Sequence, residues 1–298
     1  MHKIEHIKDS QSNHIKLTNS NTSSYAKIAL NDGASLQELC INNTVIIEDL
    51  SPLQYSDMYA SSILFPFANR IKDGFYTYNN QDYQLEINQE EENNAIHGLV
   101  YNKTFKILNK NASENEASIQ LEYEELNRPK GFPFTYTIRL NYILNKDGLK
   151  LNVLLENTDS KAFPFTLGWH PYFISKNLYE SSLEFDSNKK LILDDKLITT
   201  RVKDFKNEEP FKVKNKTLDD CFILNTNTVK FTTPSYDMEI HTSSSETFLH
   251  LFTPSRANTI AIEPMTGVSD SFNNKIGLQI LEPKKTYSLD WEIKCHTK

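Results

Sequence analysis

Cysteine is scarce in this chain. Cys40, Cys221 and Cys295 are an odd number at irregular spacing, with no CxxC pair, so neither a disulfide framework nor a thiolate zinc site is indicated. Arginine is nearly as sparse: Arg70, Arg128, Arg139, Arg201 and Arg256 stand alone, and lysine supplies the remaining positive charge. The formal net charge of −7 argues against nucleic acid or an anionic membrane as partner, because both demand a basic face. No apolar run approaches the roughly 20 residues that a membrane-crossing helix needs. Met1 to His14 is polar and charged, unlike an export signal of ordinary form. Phosphate-binding glycine loops and zinc-ligand spacings are missing too. These absences lead us to expect a soluble, cytoplasmic protein that works without metal or cofactor. They leave its oligomeric state open.

Helical periodicity is also almost absent, with short turns around Leu53 to Tyr59 and Asn273 to Ile276 the only candidates. What is present is alternation punctuated by turn residues, the pattern of strands. Tyr25 to Leu30 and Ala34 to Ile41 flank Asn31-Asp32-Gly33, whose Asp-Gly pair accepts positive φ. Tyr136 to Leu144 and Leu149 to Glu156 flank Asn145-Lys146-Asp147-Gly148. A further hairpin is expected at Asn79-Asn80, between Phe75 to Tyr78 and Asp82 to Ile87. Later strands are expected at Ser182 to Phe185, Thr228 to Thr232, Met238 to Thr242, Phe248 to Phe252, Thr259 to Glu263 and Tyr287 to Ile293. A hydrophobic content of 38% is adequate for a core, and no linker or long repeat divides the chain. The expectation is one all-β domain over residues 1–298, built of stacked antiparallel sheets.

Three segments carry chemistry. Ala95-Ile96-His97-Gly98 and Gly168-Trp169-His170-Pro171-Tyr172-Phe173 each hold a histidine, and Ile262-Glu263-Pro264-Met265-Thr266-Gly267 holds a carboxylate. Together they offer an acid and a base near neutral pH. A fourth segment, Pro66 to Gly74, sets Asn69 beside Arg70, an amide and a guanidinium suited to the hydroxyls of a polyol. Each has a plainer reading: a turn histidine tied to backbone for His97, a solvated loop for Asn69 and Arg70, core packing for some of Trp169, Tyr172 and Phe173. His170 lies in a dense aromatic run, where an imidazole must find a partner or a use. Glu263 is expected at the end of its strand, with Pro264 stopping the ladder. The other histidines, His2, His6, His14, His241, His250 and His296, are read as surface or packing residues, with His241 and His250 assigned to packing inside strands.

Taken in order, Asn69-Arg70-Ile71 with Gly74-Phe75, His97-Gly98, His170-Pro171-Tyr172-Phe173, Leu218-Asp219-Asp220-Cys221-Phe222 and Glu263-Pro264 resemble the aldose 1-epimerase family, the galactose mutarotase-like proteins. The resemblance runs from about Tyr25 to Ile293. It implies a large antiparallel β-supersandwich that interconverts the α and β anomers of an aldose without a cofactor, so the expected partner is a small monosaccharide. It makes His170 the general acid and Glu263 the general base. His97, Asn69, Arg70 and Tyr172 become sugar-binding residues, and either Asp219 or Asp220 accepts from a sugar hydroxyl. The chain departs from the best-known galactose mutarotases in the residues after Glu263 and in Pro283-Lys284, where a Pro-Gly is usual.

The chemistry implied is ring opening by two proton transfers, one from the C1 hydroxyl to the base and one from the acid to the ring oxygen. For that, His170 is expected to stay partly protonated near pH 7 under the influence of Glu263, with Glu263 ionised. A free hexose, a hexose phosphate held by converging lysines such as Lys72, and a non-catalytic sugar sensor all remain open at this point.

Overall fold

Alternation translates directly into buried and exposed faces. Tyr136, Ile138, Leu140, Tyr142 and Leu144 are all buried along the strand Tyr136–Asn145. Leu149, Leu151, Val153 and Leu155 do the same along Gly148–Asn157, as a period of two demands when one sheet face meets a core. The Asn145 side chain accepts hydrogen bonds from the amides of Asp147 and Gly148 and closes the turn between them. The computed structural model describes residues 1–9, 13–206 and 208–298 of the chain.

These two strands belong to a nine-stranded sheet that continues through Thr286–Thr297 and Tyr236–Thr242. An eight-stranded sheet contains, in spatial order, Asp219–Ile223, Phe248–Phe252, Thr259–Met265, Gly168–Trp169 and Ile63–Leu64, with Tyr172–Ile174 also pairing Thr259–Met265. A five-stranded meander spans His2–Lys8 to Thr44–Ile47. Trp169 from the eight-stranded sheet stacks on Trp291 from the nine-stranded one, ring centroids 5.8 Å apart, and the main buried apolar cluster runs from Ile15 to Cys295. The all-β antiparallel architecture is the one the alternation implies, and among the described residues the α-helices are two short turns, Tyr55–Met58 and Ser271–Asn274, with one 3-10 turn at Leu178–Glu180.

Several boundaries differ from the sequence reading. The strand Gln81–Gln84 ends before Ile87, and the polar strand Lys106–Ala112 carries no apolar alternation to announce it, whereas Asn13–Asn19 and Glu116–Glu125 alternate, burying Ile15 and Leu17 and Ala117, Ile119 and Leu121, and were passed over in the sequence reading. The larger correction is at Pro264, which does not stop its strand: Thr259–Met265 passes through it. The amides of Ile262 and Thr266 donate to Pro171 and Leu167 of the adjacent segment, whereas His170, between them, turns its own amide to Ser62. The register is unbroken across the proline, with Gly168 opposite Met265 and Tyr172 opposite Ala261, so the pairing on either side carries the strand through the one position where Pro264 has no N–H to give. Glu263 is therefore in the interior of a strand and not at its end.

The short pair Arg70–Lys72 and Asn94–Ile96, with Ile96 opposite Arg70, brings two of the sequence motifs side by side. His97 donates its amide to the Asn69 carbonyl at 2.9 Å, and both residues have positive φ. Gly98 follows with φ +76°, and a Cβ there would lie 2.2 Å from the Phe65 carbonyl oxygen. Only glycine fits this crossing, which fixes where His97 emerges. Gly98→Ala should lower the unfolding free energy by about 2 kcal/mol or more, measurable by urea denaturation; an unchanged midpoint would mean that the crossing is not tight.

Candidate active site

Four strands of the eight-stranded sheet and the Arg70–Lys72 pair converge on one cavity of about 530 Å³. Its walls include Asn69, Arg70, His97, His170, Tyr172, Asp219, His250 and Glu263. Register in the eight-stranded sheet places Tyr172, Asp219, His250 and Glu263 on one face, and the separate pair Arg70–Lys72 and Asn94–Ile96 brings Asn69, Arg70 and His97 against it.

His170 and Glu263 form the centre. Nε2 of His170 lies 3.4 Å from Oε1 of Glu263, and Glu263 is 1% exposed. The backbone on both sides of the ring is pinned: the His170 amide donates to the Ser62 carbonyl at 3.1 Å, and the Ser61 amide donates to the His170 carbonyl at 2.7 Å. The ring stacks on Tyr172 at 4.9 Å and meets the edge of His97 at 5.0 Å. Tyr59 packs edge-on against His97 from the other side. Trp169 and Phe173 belong to the core, so of the three aromatics around His170 only Tyr172 reaches the cavity.

Arg70 is oriented by its neighbours. Its Nε donates to Gln89 Oε1 at 2.9 Å and its Nη1 donates to Asn69 Oδ1 at 3.1 Å. The two aspartates separate cleanly: Asp219 lines the cavity, whereas Asp220, on the opposite face of the same strand, pairs with Lys190 at 2.6 Å. Asp220 is therefore removed from the candidate set. Lys72 does not line the cavity either, and among the described residues no lysine does. The rim instead carries Asp57, Glu90, Glu91 and Glu92. Among the described residues there is no group of three or more His, Cys, Asp or Glu side chains placed to hold a metal ion.

His250 is the residue that sequence reasoning missed. It sits in Phe248-Leu249-His250-Leu251-Phe252, a run so apolar that packing seemed its natural fate, yet it faces the cavity with Nε2 3.0 Å from Asp219 Oδ1. The available signal was the same one used for His170, a polar ring in a run of apolar and aromatic residues.

The electrostatics reverse one expectation. Burial pushes Glu263 up to about 7, with Asp219 adding to the rise while His250 and Arg70 oppose it. Burial likewise drives His170 down to about 3, helped by positive charge on His250 and Arg70. The free site thus keeps His170 neutral near pH 7 and lets Glu263 hold a proton, the opposite of the ionised pair anticipated. Desolvation outweighs the mutual attraction because neither group has enough hydrogen bonds: Glu263 Oε2 and His170 Nδ1 have no partner among the described residues. Burial also lowers His97 well below the usual histidine range. For Asp219, burial would raise the carboxyl, but His250 and Arg70 bring it below the usual range.

Comparison with known proteins decides the family. The aldose 1-epimerase family model matches residues 13–294. The chain belongs to the aldose 1-epimerase family. It is 25% identical over 273 residues to the uncharacterized protein YihR of Escherichia coli K12, covering 88% of this chain and 87% of that one. In fold it is similar to a galactose mutarotase-like protein from Clostridium acetobutylicum, with TM-score 0.87 and 19% identity over 100% of this chain and 99% of the other. The galactose 1-epimerase of Lactobacillus acidophilus NCFM superposes with TM-score 0.79 at 18% identity, covering 100% and 99% of the two chains. Membership in this epimerase family implies a sugar as substrate.

A buried carboxyl with raised proton affinity costs stability once it ionises. Glu263 in the unfolded chain loses its proton near 4.5 but in the folded chain near 7, so its penalty is absent at pH 4 and grows as pH rises between those values. Glu263→Gln should therefore melt a few degrees above the wild type at pH 8, with the gap closing toward pH 5. Differential scanning calorimetry at both pH values checks this; a variant that melts below the wild type at pH 8 contradicts it.

Proposed function

We propose that this protein is a mutarotase that interconverts the α and β anomers of an uncharged aldohexose by acid–base ring opening. The observation that carries the reading is the His170–Glu263 contact of 3.4 Å, buried in a cavity where His97 Nδ1, His170 Nδ1, His250 Nδ1 and Glu263 Oε2 have no hydrogen-bond partner among the described residues. Sugar hydroxyls complete those hydrogen bonds. Tyr172 and Phe252 give the cavity aromatic surface for the C–H face of the ring.

Glu263 takes the proton of the C1 hydroxyl as His170 protonates the ring oxygen, so that the C1–O5 bond breaks to the open-chain aldehyde. Rotation about C1–C2 presents the other carbonyl face. Reclosure reverses both transfers and yields the opposite anomer with no net change in the enzyme. Arg70, held by Asn69 and Gln89, and Asp219 bind hydroxyls, and neutral His97 donates to or accepts from the sugar beside His170. The pair works with one proton between its members. Burial leaves that proton on Glu263 in the free site, and it passes to His170 as the sugar's hydroxyls enter and solvate the carboxylate.

The rim favours neutral over phosphorylated sugars. Asp57, Glu90, Glu91 and Glu92 meet an incoming substrate before Arg70 does, and no lysine is placed to hold a phosphate. A hexose phosphate is disfavoured on this ground.

Polarimetry of freshly dissolved α-D-glucose and α-D-galactose tests the activity. His170→Ala and Glu263→Ala should each lose about 100-fold or more of the enzymatic rate, the scale of general acid or base assistance. No acceleration by the wild type, with sugar binding intact, would make it a binding protein. Exchange NMR should show glucose 6-phosphate turned over more slowly than glucose, with the double variant Glu91→Lys, Glu92→Lys narrowing the difference; faster turnover of the phosphate would reverse the substrate reading.

A further inference from the structure

Two carboxylates, Asp219 and Glu263, face one buried cavity, and buried negative charge is tolerated only beside compensating cations. Arg70 supplies one. Its guanidinium is engaged with Asn69 and Gln89, which leaves a second position to be filled by one of three imidazoles. His97 has His170 and Tyr59 as its ring neighbours. His170 contacts Glu263, but its ring is packed between His97 and Tyr172 and lies near the positive groups of the site.

His250 is placed differently. It is 4% exposed, and its Nε2 is 3.0 Å from Asp219 Oδ1, a close ion pair that falls short of a well-aligned hydrogen bond. In the sheet it stands between two strands, directly opposite Cys221 on one side and directly opposite Glu263 on the other. Cross-strand partners lie close enough for a charge on one to act on the other. Every group facing it can be named: Asp219 and Cys221 from one neighbouring strand, Glu263 from the other, and Arg70, His170 and His97 across the cavity.

We propose that His250 is a permanent imidazolium paired with Asp219, a positioning residue that governs how firmly the His170–Glu263 pair holds its single working proton. The proposal rests on the mutarotase reading for its consequence in catalysis, although the coupling itself is a property of the free protein. Burial would strip the proton from His250, but Glu263 whenever it is ionised, with Asp219 and Cys221 beside it, lifts its proton affinity well above the usual histidine range. The resulting positive charge acts on both members of the pair in the same sense. It opposes the burial-driven rise of Glu263 and deepens the fall of His170.

The active pair holds one proton, so the rate is bounded on the acid side by the second protonation and on the alkaline side by loss of the working proton. Removing the cation raises both bounds. His250→Gln, which keeps a hydrogen-bond donor but no charge, should move both limbs of the kcat/KM profile to higher pH by about one unit or more, the usual effect of one nearby charge. A residue that only packs would lower the rate by a common factor and leave the limbs in place, and that result overturns the proposal whatever the plateau rate.

Two measurements need no turnover. Carboxyl 13C NMR of Glu263 should show its titration midpoint higher in His250→Gln than in the wild type, so failure of the coupling and failure of the mutarotase reading are separate results. Should the variant not fold, 15N NMR of the wild type decides: a His250 ring still doubly protonated at pH 7 supports the proposal, and a neutral ring at pH 7 overturns it.

Discussion

Glu263 lies in the interior of a strand, almost wholly buried, opposite a histidine that burial has stripped of its charge. A carboxyl in such a place is costly, and the rest of the site is organised around that cost. The strand passes through Pro264 because its pairing is held on both sides, at Tyr172–Ala261 and Gly168–Met265, and the same paired segment carries the His170 ring into the cavity. One paired segment thus both tolerates the proline and sets the His170–Glu263 contact.

The sheets supply stiffness to this contact. Trp169, one residue before His170, is locked against Trp291 of the opposite sheet, while Ser61 and Ser62 clamp the His170 backbone. Behind His97, Gly98 crosses the Phe65 carbonyl at a distance no side chain would permit. Rings held this way keep fixed separations, which is what acid–base catalysis needs from a scaffold.

Much of this was legible in the chain. Asp32-Gly33 and Asn145 to Gly148 marked true hairpins, and the alternation in Tyr136 to Leu144 marked a true core strand, because these features depend only on local backbone chemistry and period. The convergence of His97, His170, Asp219 and Glu263 was visible through the order of the motifs. What stayed hidden depended on neighbours in space. Asp219 and Asp220 are adjacent in sequence, and only the face of the strand tells which meets the cavity. His250 looked like packing because its immediate sequence is apolar, while the carboxylates that give it a use come from two other strands. The proton affinities of His170 and Glu263 were misjudged because attraction between partners can be read from identity, whereas desolvation is set by everything packed around them. Polar strands such as Lys106–Ala112 escaped notice since their exposed side chains carry no alternation.

The central claim is that one proton, shared by His170 and Glu263, does the work. The rate of anomer exchange of α- and β-D-glucose, followed by exchange NMR with the wild-type protein from pH 4 to pH 9, tests it most directly. The account predicts enzymatic exchange that is sustained on the acid side of neutrality and falls as pH rises through about 7, where Glu263 gives up its proton. Exchange that keeps rising with pH through 9 would contradict it, since that behaviour belongs to a site whose base works only once the pair is fully deprotonated.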